Sequence, residues 1–475
     1  MRLTEPGIRQ RLVRDTAWYG VSAALAKALA LLTVPVLTRT LGPGDYGLVD
    51  LATSTAALLT LVAMLSADIP ATRFHALAAE EKAPLRPVSS YVWVVGIASI
   101  LLAAILLPLS SVLAERAWGQ GDEVPLALLT LLLVPVSAIQ AALAQTQRIM
   151  SRPRTFAGLS LLDLVAQLGL AVLLVLLGFG PSGVVLGFIG GSLIGLVVAA
   201  AASLPVLRTR PDRATATAIA SDGLRFLPYT IAFVVADWIV RTTLANALGA
   251  AAVASFGVAL RLTSALSLVG AAFSMAWGPV GLARERGPQT SRLFGRALLA
   301  YGVASAGAAL VLAALGPEVI RVVAGGGFGD AALILPGLAL AAAFAGTEYV
   351  LVVAAGITER GSRVALASTA GALVQVGATL VGVPLLGLAA VGPAALLGRA
   401  VSFGILLVSV RRDVAYARGL LMAVGVAAVA AALLLQLRVG SASGDDPMRW
   451  LAALAIGAVA AIITARAVAP DRSAP

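Results

Sequence analysis

The chain of 475 residues contains no cysteine and one histidine, His75. Disulfides, thiolate metal sites and cysteine nucleophiles are therefore excluded, and a multi-histidine metal centre or imidazole proton relay has no residues to build it. His75 itself is read as a loop residue near a membrane interface. Charge is scarce as well: 12% of residues are charged and 60% are hydrophobic, with a mean hydropathy of +0.97. Soluble domains hold about 45 to 50% apolar and about 25% charged residues, so this balance describes a polytopic membrane protein. No Walker-type phosphate loop, no carboxylate pair on a soluble domain and no metal-ligand cluster occurs, and no cofactor is expected. Gly325-Gly-Gly-Phe-Gly329 is glycine-rich, but no Lys-Ser/Thr follows, and it reads as a flexible turn. Large extramembrane loops that could house a glycosyltransferase or polymerase site are missing too, which argues against an enzyme.

What charge there is leans basic, with a formal net charge of +11 and an isoelectric point near 10.8. A nucleic-acid partner would require the bases to cluster on a soluble face. Most of them lie in short loops between apolar runs, where they set topology and meet anionic lipid headgroups, so membrane lipids and not nucleic acid are the expected partners.

Apolar runs bounded by charge, proline or glycine give fourteen candidate helices, near 16–38, 47–67, 89–109, 125–145, 157–178, 183–204, 226–248, 254–277, 297–316, 331–355, 364–384, 389–410, 419–437 and 450–468. The first run is longer than a secretory signal core and reads as a retained span. The tightest joins fall near Gly180 and Gly387. With the N-terminus placed in the cytoplasm, all eight inside segments are basic, whereas the outside segments hold only Arg39, Arg116, Arg321, Arg438 and Arg449. This asymmetry predicts a multi-pass membrane protein with both termini in the cytoplasm. Trp18, Tyr19, Tyr91, Trp93, Trp277 and Trp450 fall near predicted helix ends, where an aromatic belt belongs.

Four bases, Lys27, Arg241, Arg261 and Arg399, fall inside predicted helices, with Asp237 and Glu348 as deep acids. A charge at the centre of a span costs about 2.5 to 3.5 kcal/mol even on the lenient insertion scale, so these residues should face protein or water. Asp237 and Arg241 are four apart, on one helical face, where they can partly neutralise each other. Asp50, Asp68 and Asp163 lie nearer predicted helix ends and read as interfacial.

An internal repeat recurs at long period. Gln167-Leu-Gly169 follows Arg152 and Gln375-Val-Gly377 follows Arg360, at matching spacing; Leu41-Gly42 and Leu248-Gly249 recur at nearly the same offset. The expectation is two parallel six-helix lobes, 1–208 and 209–416, with a substrate site between them and two additional helices and a cytoplasmic tail in 417–475.

Thr38-Arg-Thr-Leu-Gly-Pro-Gly-Asp-Tyr-Gly47 resembles the signature after the first helix of bacterial polysaccharide flippases, within the multidrug, oligosaccharidyl-lipid and polysaccharide exporter superfamily. The proline-containing helix carrying Asp237 and Arg241 resembles the start of that family's second lobe, and Arg360 to Gly392, with Pro384-Leu-Leu-Gly-Leu-Ala-Ala-Val-Gly392, its eleventh and twelfth helices. The resemblance implies an all-α integral membrane fold of about fourteen helices. It also implies a function: flipping polyprenyl-diphosphate-linked oligosaccharide to the outer leaflet by alternating access, with glycosyltransferase or polymerase machinery as further partners. Related lipid II flippases place arginines and an aspartate in the first helix, whereas here Lys27 stands in mid-span and Arg14 and Asp15 precede it, which lowers lipid II as cargo. A multidrug or organic-cation antiporter of the same fold is the other alternative. A cavity for cations should be acidic, yet the deep bases outnumber the deep acids, which favours an anionic headgroup bound by Lys27, Asp237, Arg241, Arg261 and Arg399. A membrane scaffold would not need such charges.

Because the chain lacks cysteine, topology can be read without background. Single cysteines at Gln120 and Gly326 should react with an impermeant thiol reagent applied from outside, and those at Gln289 and Ser473 should not; the reverse pattern overturns the orientation.

Overall fold

Inside hydrocarbon a backbone N–H or C=O has no water to bond, so a spanning segment must satisfy its own ladder, and the apolar runs fold as helices. The computed structural model describes residues 6–80, 84–266, 287–357 and 361–410, and no strand occurs among them. The helices are α1 (Pro6–Met64), α2 (Asp68–Glu80), α3 (Leu85–Leu106), α4 (Val124–Ile149), α5 (Pro153–Leu176), α6 (Gly180–Ala202) and α7 (Arg213–Leu248). They continue as α8 (Ala250–Ser264), α9 (Pro288–Ala314), α10 (Gly316–Val323), α11 (Ala331–Ile357), α12 (Gly361–Leu386) and α13 (Val391–Ser409). Nine stretches among the described residues are long and apolar enough to cross a membrane, and two of them, of 55 and 48 residues, each hold two of the predicted spans. The fold is that of an all-α, multi-pass membrane protein. The predicted spans at 419–437 and 450–468, and the second half of 254–277, lie outside the described residues.

Helix ends follow local chemistry. Helix α7 begins at Arg213, well before the span expected from Phe226, because Asp212 caps it by accepting from the Thr215 N–H at 2.8 Å and the Thr215 hydroxyl at 2.6 Å. Those two bonds hold the Asp212 carboxyl below the ordinary aspartate range. The joins near Gly180 and Gly387 are true turns, with φ of +57° and +61°. Gly325 (φ +90°) stops α10, and the glycine-rich turn after it is anchored by buried Phe328 rather than left loose.

Contacts divide the chain into two compact units, one ending at Ala254 and one beginning at Ser255. In the first, the tightest partners are α5 and α6, and α4 packs on α6. Their backbones approach through small residues: a Cβ at Gly191 would lie 2.3 Å from the Gln167 nitrogen, and one at Gly187 2.3 Å from the Ala171 nitrogen. The second unit packs α12 on α13, α11 on α13 and α9 on α11. There Gly398 meets the Gly371 carbonyl and Gln375, and Gly337 meets Gly392. Outward-facing Leu32, Ile105, Val197, Leu373 and Leu385 remain exposed, as lipid contact requires. Trp93 is among the exposed aromatics, but Tyr91, expected in the interfacial belt, is fully buried; two residues apart on a helix, the two point to opposite faces.

Helix α7, which the repeat places at the start of a second lobe, packs with the first unit, against α1, α2 and α3. Near one end Ser66 donates to Thr230 at 2.9 Å, and a Cβ at Gly223 would lie 2.5 Å from the Leu65 carbonyl oxygen. Leu65 and Ser66 both hold positive φ, of 54° and 50°, a conformation unfavourable to side-chain-bearing residues that persists where the surroundings enforce it. Paired cysteines at Ser66 and Thr230 should therefore form a disulfide under mild oxidation, seen as loss of maleimide reactivity that returns on reduction. Retention of two reactive thiols would contradict this attachment.

Candidate functional site

The segment after the first span is built around two glycines. Gly42 (φ 74°, ψ 176°) breaks α1, Pro43 restarts it, and Tyr46 turns fully inward. At Gly47 any Cβ would collide with the main-chain carbonyl of Ala250. Gly249, ending α7, adopts nearly the same backbone conformation as Gly42 (φ 86°, ψ 174°).

This close approach of α1 and the start of α8, just past the end of α7, sets the polar cluster that follows. The Arg241 guanidinium donates from Nε to Asp50 Oδ2 at 2.7 Å and from Nη1 to the Asp237 main-chain carbonyl at 3.1 Å. The Asp50 side chain is buried, at 6% exposure, and that of Arg241 is partly buried, at 12%. One turn along α1, the Thr55 hydroxyl uses its full capacity. It donates to the Leu51 carbonyl at 2.7 Å and accepts from the indole N–H groups of Trp238 at 2.9 Å and Trp118 at 3.3 Å. Asn246 closes the far end, its amide donating to the carbonyls of Arg116, Ala117 and Thr242. A buried ion pair is stabilising only with good geometry and further hydrogen bonds, and this one has both.

The sequence reading placed Asp237 and Arg241 together and paired them with each other. The structure keeps them on one face and brings to Arg241 the carboxylate of Asp50 as well, a residue expected near the interface. Asp50 is 4% exposed. Nothing local reveals a partner 191 residues away; the signal was an acid four residues after an inward tyrosine, close to the helix break at Gly42.

The remaining site residues lie elsewhere. Lys27 is half-buried on the first segment of α1. Arg261 is half-buried in the last turn of α8. Arg399 on α13 stands 3.9 Å from Glu348 of α11, and the Ser402 hydroxyl donates to the other oxygen of the same carboxylate. Thr347, beside Glu348, bonds the Ser305 hydroxyl at 3.2 Å. Arg261 and Arg399 thus belong to the second unit, and Lys27, Asp237 and Arg241 to the first. Asp163, also read as interfacial, accepts from Gln167 at 2.8 Å, and Gln167 donates in turn to Ser192 at 2.9 Å. No group of three or more metal-ligating acids or histidines occurs among the described residues.

The family model for polysaccharide biosynthesis proteins matches residues 12–281, more than half of the chain and all of the Asp50–Arg241 cluster. The chain belongs to the polysaccharide biosynthesis protein family. Among solved structures, this member of the family is similar to a lipid II flippase MurJ in an inward closed conformation, at a TM-score of 0.72 and 12% identity, over 94% of this chain and 97% of that one. It is also similar to a multidrug resistance MATE family transporter of the MOP superfamily, inward-facing, at 0.59 and 16% identity over 85% and 99%. A MATE P26A mutant gives 0.56 and 17% over 87% and 97%. At these identities the likeness is one of fold. No curated protein matches by sequence.

Removing one member of a buried pair strands the other charge and costs about 3 to 5 kcal/mol, whereas removing both is far milder. Asp50→Ala and Arg241→Met should each lower the unfolding midpoint in detergent strongly, and the double variant should recover most of the loss. Additive losses would show that the two side chains do not interact.

Proposed function

We propose that the protein carries polyprenyl-diphosphate-linked oligosaccharide from the inner to the outer leaflet of the bacterial cytoplasmic membrane by alternating access, for cell-surface polysaccharide export. The observation that carries this reading is Arg241: a partly buried guanidinium within the stretch matched by the polysaccharide family, held in place by a carboxylate. A partly buried arginine set to bind a carboxylate has the chemistry to bind a diphosphate, because its planar fork makes paired, charge-assisted hydrogen bonds to either. Lys27, Asp237, Arg261 and Arg399 are proposed as further charged groups that the headgroup meets, while the polyprenyl tail stays in lipid. Both termini face the cytoplasm in this reading. The six-helix lobes 1–208 and 209–416 are its moving parts, followed by the additional helices of 417–475. The paired glycines of positive φ at Gly42 and Gly249, and at Gly180 and Gly387, support a repeated plan, since 249 − 42 and 387 − 180 are both 207.

An organic-cation antiporter needs buried acids open to a cationic drug. Asp50 and Glu348 are each matched by an arginine instead. The protein acts as a transporter in this reading and makes or breaks no covalent bond.

Arg241→Lys keeps the charge that stabilises Asp50 but removes the fork, and Arg261→Ala removes a second base. Losing charge-assisted hydrogen bonds worth about 1.5 to 3 kcal/mol should slow delivery about 10- to 100-fold. The measurement is surface glycan in a strain dependent on this protein, with membrane levels of each variant checked. Undiminished delivery by both variants would defeat the diphosphate reading.

A further inference from the structure

The same ion pair bears on how cargo is sensed. Helix α7 is fastened to the first unit at three levels, by Ser66–Thr230, by Thr55–Trp238 with Asp50–Arg241, and by Asn246 on the carbonyls of Arg116 and Ala117. The other contacts named here are hydrogen bonds between uncharged groups, which exchange for bonds to water with little net change. The Asp50–Arg241 bond is of another kind. It is short and buried, and opening it with nothing to replace it strands a carboxylate and a guanidinium in a low-dielectric setting. An anion can address this attachment where water cannot. Arg241 is the more accessible of the two side chains. A diphosphate offers the guanidinium more acceptor oxygens and more negative charge than one carboxylate. The helices joined here also have pivots at hand: α1 is interrupted at Gly42 and α7 ends at Gly249, both at positive φ.

We infer that Asp50 is a built-in counter-anion which the cargo's diphosphate displaces from Arg241, so that arrival of cargo loosens α7 from α1. The inference rests on the diphosphate reading given above. Asp50 is a positioning residue in this scheme: it holds Arg241, keeps the empty protein fastened and does not touch the cargo. Its displacement makes the loosening of α7 that follows loading depend on a bound anion. No covalent step is involved.

The cysteine-free chain supplies the test. Ala236, fully buried on α7, is replaced by cysteine, and its rate of reaction with a small thiol reagent is followed in proteoliposomes. Geranylgeranyl diphosphate is the probe, and geranylgeraniol the uncharged control. The diphosphate should accelerate labelling of the otherwise unaltered chain about tenfold or more, and the alcohol should not. With Asp50→Asn added, labelling should be fast without ligand and gain nothing from the diphosphate; Asp50→Glu should restore slow, diphosphate-dependent labelling. If Asp50→Asn labels as slowly as the parent, the fastening role of Asp50 is wrong whatever the cargo. If Asp50→Asn labels fast while the diphosphate leaves the parent unchanged, the diphosphate reading fails and the displacement with it. Should Asp50→Asn not fold, the parent and Asp50→Glu arms still decide, because both must respond to the diphosphate and neither to the alcohol.

Discussion

A charge withdrawn from water must be met by another charge or by dipoles, and in a chain with so few ionisable residues each such pairing fixes where a helix can lie. Asp50 and Arg241 are the clearest case. Each would be untenable alone at 6% and 12% exposure, and together they commit α7 to α1. The Gly47–Ala250 approach, the shared hydroxyl of Thr55 and the Asn246 amide all lie along the seam that this pair defines. Glu348 and Arg399 form a looser version in the second unit, at 3.9 Å, with Ser402 supplying the hydrogen bond that the arginine does not.

Elsewhere the packing is carried by the absence of side chains. Lipid tails are as apolar as leucine, so burying leucine between spans gains little, and helices associate where backbones can come close. Gly187 and Gly191 bring α6 onto α5; Gly337, Gly392 and Gly398 do the same around α13. Gly191 packs on Gln167 and Gly398 on Gln375, the two glutamines that mark the sequence repeat. A glutamine beneath a glycine keeps its amide inside the helix pair, as Gln167 does in bridging Asp163 and Ser192.

The spans were legible because hydropathy reports directly on the cost of exposing polar groups to lipid, and charge-bounded runs recovered most described helices within a few residues. Helix α7 was the main exception at its start: Arg225 and Pro228 look like a boundary, but the helix runs through both from the Asp212 cap. The glycine turns at Gly42, Gly180 and Gly387 were visible as well, since few other residues take their backbone angles. Partnership across the fold was not legible. Arg241 could be identified as a charge needing company, and spacing along one helix pointed to Asp237, but nothing along the chain pointed to the carboxylate of Asp50 on another helix. The inward turn of Tyr91 was missed for a related reason: nearness to a helix end says nothing about which side of the helix faces the protein.

The saturated hydroxyl of Thr55 has a spectroscopic consequence. Two of the six tryptophans in the chain, Trp118 and Trp238, hydrogen-bond to that single oxygen, one from the turn after α3 and one from α7. Indole emission is sensitive to the polarity around its N–H, and parting of α7 from α1 would separate Trp238 from this acceptor while leaving its neighbours in the chain unchanged. The protein thus contains an intrinsic fluorophore pair at the seam, able to register helix separation in an unlabelled chain.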